Sequence, residues 1–246
     1  MFVTCKRQTH KNLPMNLYTK DNKVISIIRS NVQLLPVLNR FDIRPGLHDA
    51  TIEELCVEKK IDVNFFLAII NTYAHQHYFP KTEFLSFSPL LIIDYLRKSH
   101  VYYSQYVVPS IDASLASLIQ SSKHETSDIH LIQSFYSKYT REFLNHNESE
   151  EKNVFPYIIS LLENPSVADG RLSQKNFEEE HTHIEEKLQD LKNLLLKYMD
   201  TDYDDNLYND FLFRLFMFEK DTKDHARIED AILLPIARAL ELKACI

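Results

Sequence analysis

Two stretches of the chain repeat one pattern, HNESEEKNVFP at residues 146–156 and HARIEDAILLP at residues 225–235. In each, a histidine is followed four residues later by a glutamate and six residues after that by a proline. Four residues are about one turn of an α-helix, so the imidazole and the carboxylate project from the same face. Both stretches therefore predict helices that present a His and a Glu together. Pro156 and Pro235 are expected to kink these helices just past the pairs.

The composition around these stretches favours an all-α fold. Only two glycines, Gly46 and Gly170, occur among 246 residues, which is too few for the tight turns that sheets need. Short polar segments separate four long helical patterns, an arrangement typical of an antiparallel four-helix bundle. The four patterns run roughly over residues 89–120, 128–163, 171–199 and 205–242.

The N-terminal third reads as a separate module of short helices. Thr51 with Glu54 three residues later fits a capping box, and Asp62 fits the N-cap of the apolar segment that follows it. Prolines at both ends of FPKTEFLSFSP indicate a connection between two domains. We expect a flexible N-terminal tail, a small helical domain, a linker and the bundle, at residues 1–21, 22–79, 80–88 and 89–246.

Charge and cysteine content exclude several functions. A formal net charge of −7 leaves no basic field for phosphates, so we expect no nucleic-acid partner. No stretch approaches the roughly 20 uncharged residues of a membrane helix, and the start lacks the apolar core of a signal peptide. Three separated cysteines show no C-x-x-C spacing. These features predict a cytoplasmic protein with no membrane partner and no disulfides.

Each long helical pattern carries one histidine on its apolar face, at the three- and four-residue spacing of a buried stripe. His100 precedes His146 by 46 residues and His181 precedes His225 by 44, which indicates a duplicated helical hairpin. Two such hairpins would bring four imidazoles and two carboxylates to one level of the bundle. The six candidate ligands are His100, His146, Glu150, His181, His225 and Glu229.

The conjunction of these residues indicates a metal site. A single His on an apolar face is more often a hydrogen-bonded core residue, and a single H-x-x-x-E is more often an exposed pair. Burying all six groups without compensation would cost on the order of several kcal/mol per charge, and a bound metal removes that cost. Imidazole and carboxylate donors without thiolate suit iron, manganese or zinc, and the six are too many for one catalytic zinc. Two metals bridged by the glutamates would leave room for a diatomic or a peroxide.

These motifs, together with His100 in LRKSHVYYSQ and His181 in EEEHTHIEEK, resemble the hemerythrin-like di-iron domain of the bacterial Repair of Iron Centres proteins. Those proteins counter nitric oxide and oxidative damage to iron–sulfur clusters. The resemblance implies two oxo- or hydroxo-bridged iron ions, with four terminal histidines and bridging Glu150 and Glu229. Glu185, one turn after His181, is a further candidate contact, whereas His183 lies well off that face.

Residues 31–71 also resemble the small N-terminal domain of that family, with one departure. The family pattern carries adjacent cysteines followed by glycines where this chain has Pro45, Gly46, Leu47 and His48. Thiol chemistry of that pair is therefore impossible here. Cys56 is expected to be buried on its helix, because nothing nearby in sequence would lower its pKa.

The resemblance implies a stress-response protein that binds O2, NO or peroxide and supports iron–sulfur cluster repair, with iron–sulfur proteins as partners. The oligomeric state stays open, because the apolar helix VNFFLAII can pack on its own bundle or on a second subunit of a homodimer. A sensor or interaction module without repair activity is the alternative, and a peroxidase-like or oxygen-storage protein is a third interpretation. Tyr103 and Tyr139 lie on inward faces, where they could donate a hydrogen bond to the ligand or simply pack.

Overall fold

The computed structural model describes residues 16–46, 48–122, 127–167, 174–198 and 203–244. It divides the chain into two compact units, residues 1–80 and residues 81–246. Within the described residues the chain forms helices joined by turns, and the β-pairing there is one isolated bridge between Lys23 and Thr51. The predicted all-α class is confirmed.

The N-terminal unit is built from short helices whose ends follow local sequence signals. Thr51 Oγ1 accepts from Glu54 N at 3.2 Å while Glu54 accepts from Thr51 N at 2.9 Å, so the predicted capping box is confirmed. Asp62 accepts from the backbone N–H groups of Asn64 and Phe65, as an N-cap does. The helices are α1 (Val24–Ser30), α2 (Leu35–Arg40), α3 (Ile52–Lys59) and α4 (Val63–Ala74).

The tail expected over residues 1–21 lies outside the described residues as far as residue 15. Closer to α1, Tyr18 N donates to Asn71 Oδ1 at 2.8 Å, and Asn71 Nδ2 donates to Tyr18 O at 2.9 Å. These two bonds attach the segment before α1 to helix α4. The segment expected as a linker contains a short helix, α5 (Lys81–Phe84), whose Phe84 is fully buried.

The C-terminal unit continues with four long helices that correspond to the four predicted patterns. Three of them contain a π-helical turn, and each of these three continues through its turn as one helix. The helices are α6 (residues 89–121), α7 (residues 127–163), α8 (Gln174–Tyr198) and α9 (residues 205–244).

Side-chain pairs show that neighbouring long helices run antiparallel. Between α6 and α9, His100 meets His225 and Ser114 meets Asp210, so residue numbers rise on one helix as they fall on the other. Between α8 and α9 the same holds for His181 with Asp230 and for Lys192 with Glu219. Helices α7 and α8 follow this rule as well. These helices therefore alternate in direction, as the prediction of an antiparallel bundle requires.

The three π-helical turns within the described residues coincide with prolines. They span Tyr103–Val107, Glu150–Val154 and Glu229–Leu233, and each ends two residues before a proline. Proline lacks an N–H and its ring clashes with the carbonyl four residues earlier, which lies inside each widened turn. The disturbance predicted at Pro156 and Pro235 takes this form, and a third turn before Pro109 was not predicted. Two of the turns begin at the candidate bridging glutamates.

An aromatic cluster fills the bundle next to the candidate ligands. The Phe218 ring meets the rings of Tyr103, Tyr139 and Phe143 edge-on, with centroids 5.8, 6.3 and 5.0 Å away. Tyr103 also packs edge-on against the imidazole of His225 at 5.5 Å. Edge-to-face packing of this kind stabilises a core beyond the area that it buries. It also holds His225 in one orientation.

Candidate metal centre

The structure brings all six candidate ligands together in the bundle. They form two groups that share Glu150, and within each group one ligand atom per residue lies within 4.8 Å of the others. The first group joins helices α6, α7 and α9, and the second joins α7 and α8. The groups are His100, Glu150, His225 and Glu229, and His146, Glu150 and His181.

The two oxygens of Glu150 face different imidazoles. Its Oε2 lies 3.3 Å from His100 Nε2, whereas its Oε1 lies 3.4 Å from His146 Nε2 and 3.7 Å from His181 Nε2. One carboxylate thus spans two groups of nitrogen donors. Such an arrangement suits a carboxylate that bridges two metal ions.

Glu229 spans the same two groups from the opposite helix. Its Oε1 lies 3.0 Å from His225 Nε2 and 3.9 Å from His100 Nε2, and its Oε2 lies 3.4 Å from His181 Nε2. The Nε2 atoms of His100 and His225 are only 3.1 Å apart. The geometry therefore pairs His100 with His225 and His146 with His181, with both glutamates between the pairs.

Because Glu150 and Glu229 are buried, keeping both carboxylates charged without a cation costs free energy. Glu150 and Glu229 are each 1% exposed, and none of their four oxygens accepts a hydrogen bond from a described residue. Buried polar groups in proteins are nearly always hydrogen-bonded or bound to an ion. The donor set of imidazole nitrogens and carboxylate oxygens fits iron, manganese or zinc. The residues present thus fit a pair of metal ions.

The pKa shifts reflect the same crowding. Burial and the negative charge of Glu150 raise the pKa of Glu229 to about 8. Burial would also raise the pKa of Glu150, but the imidazoles of His100 and His181 outweigh it and the pKa is lowered. Two close carboxylates therefore cannot both ionise easily in the absence of a cation. Burial opposes the charge of His100, yet Glu150 and Glu151 raise its pKa to about 9.

Two acids that directly follow the candidate bridging residues support histidines of the partner helices. Glu151 Oε1 lies 2.9 Å from His100 Nδ1, and Asp230 Oδ1 lies 2.8 Å from His181 Nδ1. An Nδ1–H donated to a carboxylate directs the lone pair of Nε2 toward the centre of the site. The predicted duplication of a helical hairpin relates the two contacts, because His100 corresponds to His181 and Glu151 corresponds to Asp230. Sequence reasoning missed both acids, although an acid follows each glutamate in both motifs.

His146 has a similar but more exposed partner. Its Nδ1 lies 3.1 Å from Glu180 Oε2, and the Glu180 side chain is 63% exposed. Water competes for an exposed carboxylate, so this contact orients its histidine less firmly than the other two.

An aromatic ring also packs on one of the candidate ligands. The ring of Phe155, which is fully buried, stacks on the imidazole of His100 with the two planes 9° apart.

The remaining candidates lie outside the two ligand groups. His183 is exposed, and Glu185 lies on the wall of a cavity of about 30 Å³ that also borders His146, His181 and His225. Tyr103 donates its hydroxyl hydrogen to Asp221 Oδ1 at 2.7 Å. Tyr139, in contrast, lines the cavity.

Cys56 is 1% exposed on helix α3, as predicted. Burial raises the pKa of its thiol to about 11, so at neutral pH it is protonated and a poor nucleophile. It is the free cysteine of the part of the chain that the structure describes. This part of the chain therefore offers no reactive thiol.

Comparison with known proteins agrees with this geometry. Residues 92–237, more than half of the chain, match the family model of the hemerythrin HHE cation binding domain, and this range contains all six candidate ligands. No curated protein matches the chain. Among the described helices, none combines the length and the apolar character that crossing a membrane requires.

Proposed function

We propose that this chain, which belongs to the hemerythrin family of HHE cation-binding domains, holds two bridged iron ions in its bundle. The iron ions would bind O2, NO or peroxide. One observation carries the proposal. Four carboxylate oxygens are buried at the centre of the bundle without a hydrogen bond from a described residue, and imidazole Nε2 atoms lie 3.0 to 3.9 Å from them. Such a set of donors is costly when empty and suited to cations.

The geometry supports a specific assignment of roles. His100 and His225 would hold one ion, and His146 and His181 would hold the other. Glu150 and Glu229 would bridge the two, together with an oxo or hydroxo group. Manganese and zinc are two further candidate metals, because they suit the same donors. When bound, the ion pair would supply a binding position for a small ligand and electrons for its reduction.

The chain's own residues would prepare and protect that position. Glu151 and Asp230 would hold the Nδ1 protons of His100 and His181, which keeps both Nε2 atoms available as ligands. The adjoining cavity of about 30 Å³ exceeds the roughly 10–15 Å³ that one water needs, and it is far too small for an organic substrate. The size of the cavity thus supports a two-atom ligand.

A titration with NO tests the proposal. Reduced, iron-loaded protein should show a saturable change in visible absorption on addition of NO under anaerobic conditions. The His146→Ala, Glu229→Ala double variant should lose this change, whereas His183→Ala should keep it because His183 is exposed. An unchanged response in the double variant would contradict the assignment of the site.

The cellular role that we propose is response to oxidative or nitrosative stress by repair of iron–sulfur clusters. Its support is the resemblance of the bundle and of residues 31–71 to the Repair of Iron Centres proteins. The partners would then be damaged iron–sulfur proteins. Purified protein should restore a damaged cluster enzyme, and recovery no greater than in an iron-plus-reductant control would refute repair.

A redox or gas sensor is the alternative, and the state of Cys56 favours it. With a buried, protonated Cys56 thiol and no cysteine pair at residues 45–48, residues 22–79 would act as an interaction surface rather than in thiol exchange. A sensor should change its partner binding or its monomer–homodimer equilibrium when the metal is oxidised. Identical behaviour of the oxidised and reduced forms would exclude this function.

A further inference from the structure

We infer that Tyr139 and Asn147 donate hydrogen bonds to the ligand in the cavity beside the candidate metal centre, and that this ligand is a two-atom hydrogen-bond acceptor. The inference rests on the proposed function, because it concerns the ligand of that same site. It goes further in assigning two residues that contact the ligand. It also states the chemical property that the pocket selects, which is acceptance of hydrogen bonds.

The cavity lies between helices α7, α8 and α9 and touches the candidate ligands directly. Its walls include His146, His181, His225 and Glu229. Its volume of about 30 Å³ corresponds to roughly two water-sized positions. A molecule with two heavy atoms therefore fits the space and reaches the ligands.

Two buried donors on this wall have no use within the described protein. Tyr139 is 1% exposed and Asn147 is 6% exposed. Neither the Tyr139 hydroxyl nor Asn147 Nδ2 has a hydrogen-bond partner among the described residues. Residues 139, 143 and 147 are one helical turn apart, so both donors lie on the face of α7 that borders the cavity. Buried donors without partners are rare, and a ligand in the cavity would satisfy these two.

Two neighbouring polar groups on the same wall, Glu219 and Thr222, already have partners within the protein. Glu219 binds Lys192 and Lys223, and the hydroxyl of Thr222 donates to the backbone carbonyl of Phe218 at 3.1 Å. The two donors are thus separate from the structural hydrogen-bond network around them.

The tyrosine is held in its protonated form. Burial, and next the negative charges of Glu219 and Glu185, raise the pKa of Tyr139 far above its ordinary value. Its hydroxyl therefore keeps its proton and remains able to donate. Hydrogen bonds strengthen when the acceptor carries negative charge. NO, O2 and peroxide gain or carry negative charge when reduced, so the pocket would favour them in that form.

The test uses full-length, iron-loaded protein and two tyrosine variants. Tyr139→Phe removes the proposed donor, and Tyr136→Phe is the matched control because Tyr136 is a buried tyrosine of α7 that does not line the cavity. Iron content is measured first for each protein. NO is then the probe, and its dissociation rate and N–O stretching frequency are recorded in H2O and D2O.

We expect Tyr139→Phe to release NO about fivefold faster, the effect of losing one net hydrogen bond. The stretching frequency should shift between H2O and D2O in the wild type and in Tyr136→Phe, and the shift should shrink in Tyr139→Phe. Asn147→Leu should also reduce the H2O/D2O difference in the N–O stretching frequency, by a smaller amount than Tyr139→Phe does. Equal rates and frequencies in wild type and Tyr139→Phe would overturn the inference, as would equal changes in both tyrosine variants.

The metal-free proteins supply a readout that is independent of iron. Because the Tyr139 hydroxyl has no partner among the described residues, metal-free Tyr139→Phe should unfold at the wild-type temperature or above it. A clear loss of stability would mean that the hydroxyl serves the fold, which contradicts a role reserved for the ligand. If the wild type binds neither iron nor NO, the proposed function itself fails. Iron and NO binding without an effect of Tyr139→Phe defeats only the present inference.

Discussion

Replacing Asp230 with Asn should weaken metal binding by about 10- to 100-fold while leaving the metal-free fold intact. Asp230 Oδ1 lies 2.8 Å from His181 Nδ1, and the side chain is 30% exposed, so solvent screens this contact only in part. Losing a carboxylate that orients a ligating histidine typically costs that factor, which corresponds to about 1.4–2.7 kcal/mol. The Asn side chain keeps the shape and removes the charge. The variant therefore isolates the electrostatic part of the contact.

Two matched variants rank the effect by geometry. Glu151→Gln removes an equally close carboxylate, 2.9 Å from His100 and 33% exposed, and should cost about as much as the Asp230 variant. Glu180→Gln removes the partner of His146, which is 3.1 Å away and 63% exposed. Exposed ion pairs contribute about 0–1 kcal/mol, so this variant should lose no more than about fivefold.

Affinity is measured by competition with a chelator of known affinity for Fe(II) at one pH. Thermal unfolding of the metal-free variants serves as the control for folding. Metal binding by Asp230→Asn as tight as that of the wild type would show that this carboxylate does not support His181. Equal losses of affinity in Glu180→Gln and Asp230→Asn would show that exposure does not decide the strength of the contact.

Three further predictions concern pH, packing and the thiol. In the metal-free protein the pKa values of His100 and Glu229, about 9 and about 8, exceed the ordinary values of 6.5 and 4.5. The folded state thus binds these protons more tightly, and the melting temperature should fall as pH rises from 6.5 to 9; a flat profile contradicts this. Phe218→Ala, at a 2% exposed core position, should lower the free energy of unfolding in urea by about 3–5 kcal/mol. Phe213→Ala, at a 65% exposed position of the same helix, should change it by less than about 0.5 kcal/mol, and equal losses would refute the packing account. Cys56 should resist alkylation in the native protein and react after denaturation, whereas rapid native labelling would show that it is accessible.

Part of the site could be predicted from the sequence because long helices impose a strict period. Residues such as His146 and Glu150 fall on one apolar stripe of a helix, and a helical face that is buried must bring its polar members together. The duplicated H-x-x-x-E pattern and one inward-facing histidine on each of the other two helices then selected six residues, which the structure places in two overlapping groups. Their role as metal ligands stays a prediction.

The supporting acids could not be predicted with the same logic. Glu151 and Asp230 lie at the edges of the buried faces, among many other charged residues of long helices, and only the packing of helices shows which histidine each acid reaches. Periodicity placed both Tyr103 and Tyr139 inward. Only the three-dimensional structure shows that the first hydroxyl binds Asp221 while the second has no partner among the described residues.

Some details of the backbone conformation could also not be predicted from the sequence. The widened turn before Pro109 follows the same steric rule as those before Pro156 and Pro235, but no ligand motif drew attention to it. Lys60 caps the C-terminal end of helix α3, and its φ of 58° is in the left-handed region that glycine usually occupies. A chain with only two glycines closes this helix with another residue type, so the usual signal for a helix end is missing.

Elemental analysis of folded protein expressed with iron decides whether the buried His and Glu residues hold a pair of metal ions. We expect about two iron ions per chain in the wild type, and fewer than about one in the His146→Ala, Glu229→Ala double variant. Less than one metal ion per chain in folded wild-type protein would contradict this expectation, because the six residues would then form a polar core network.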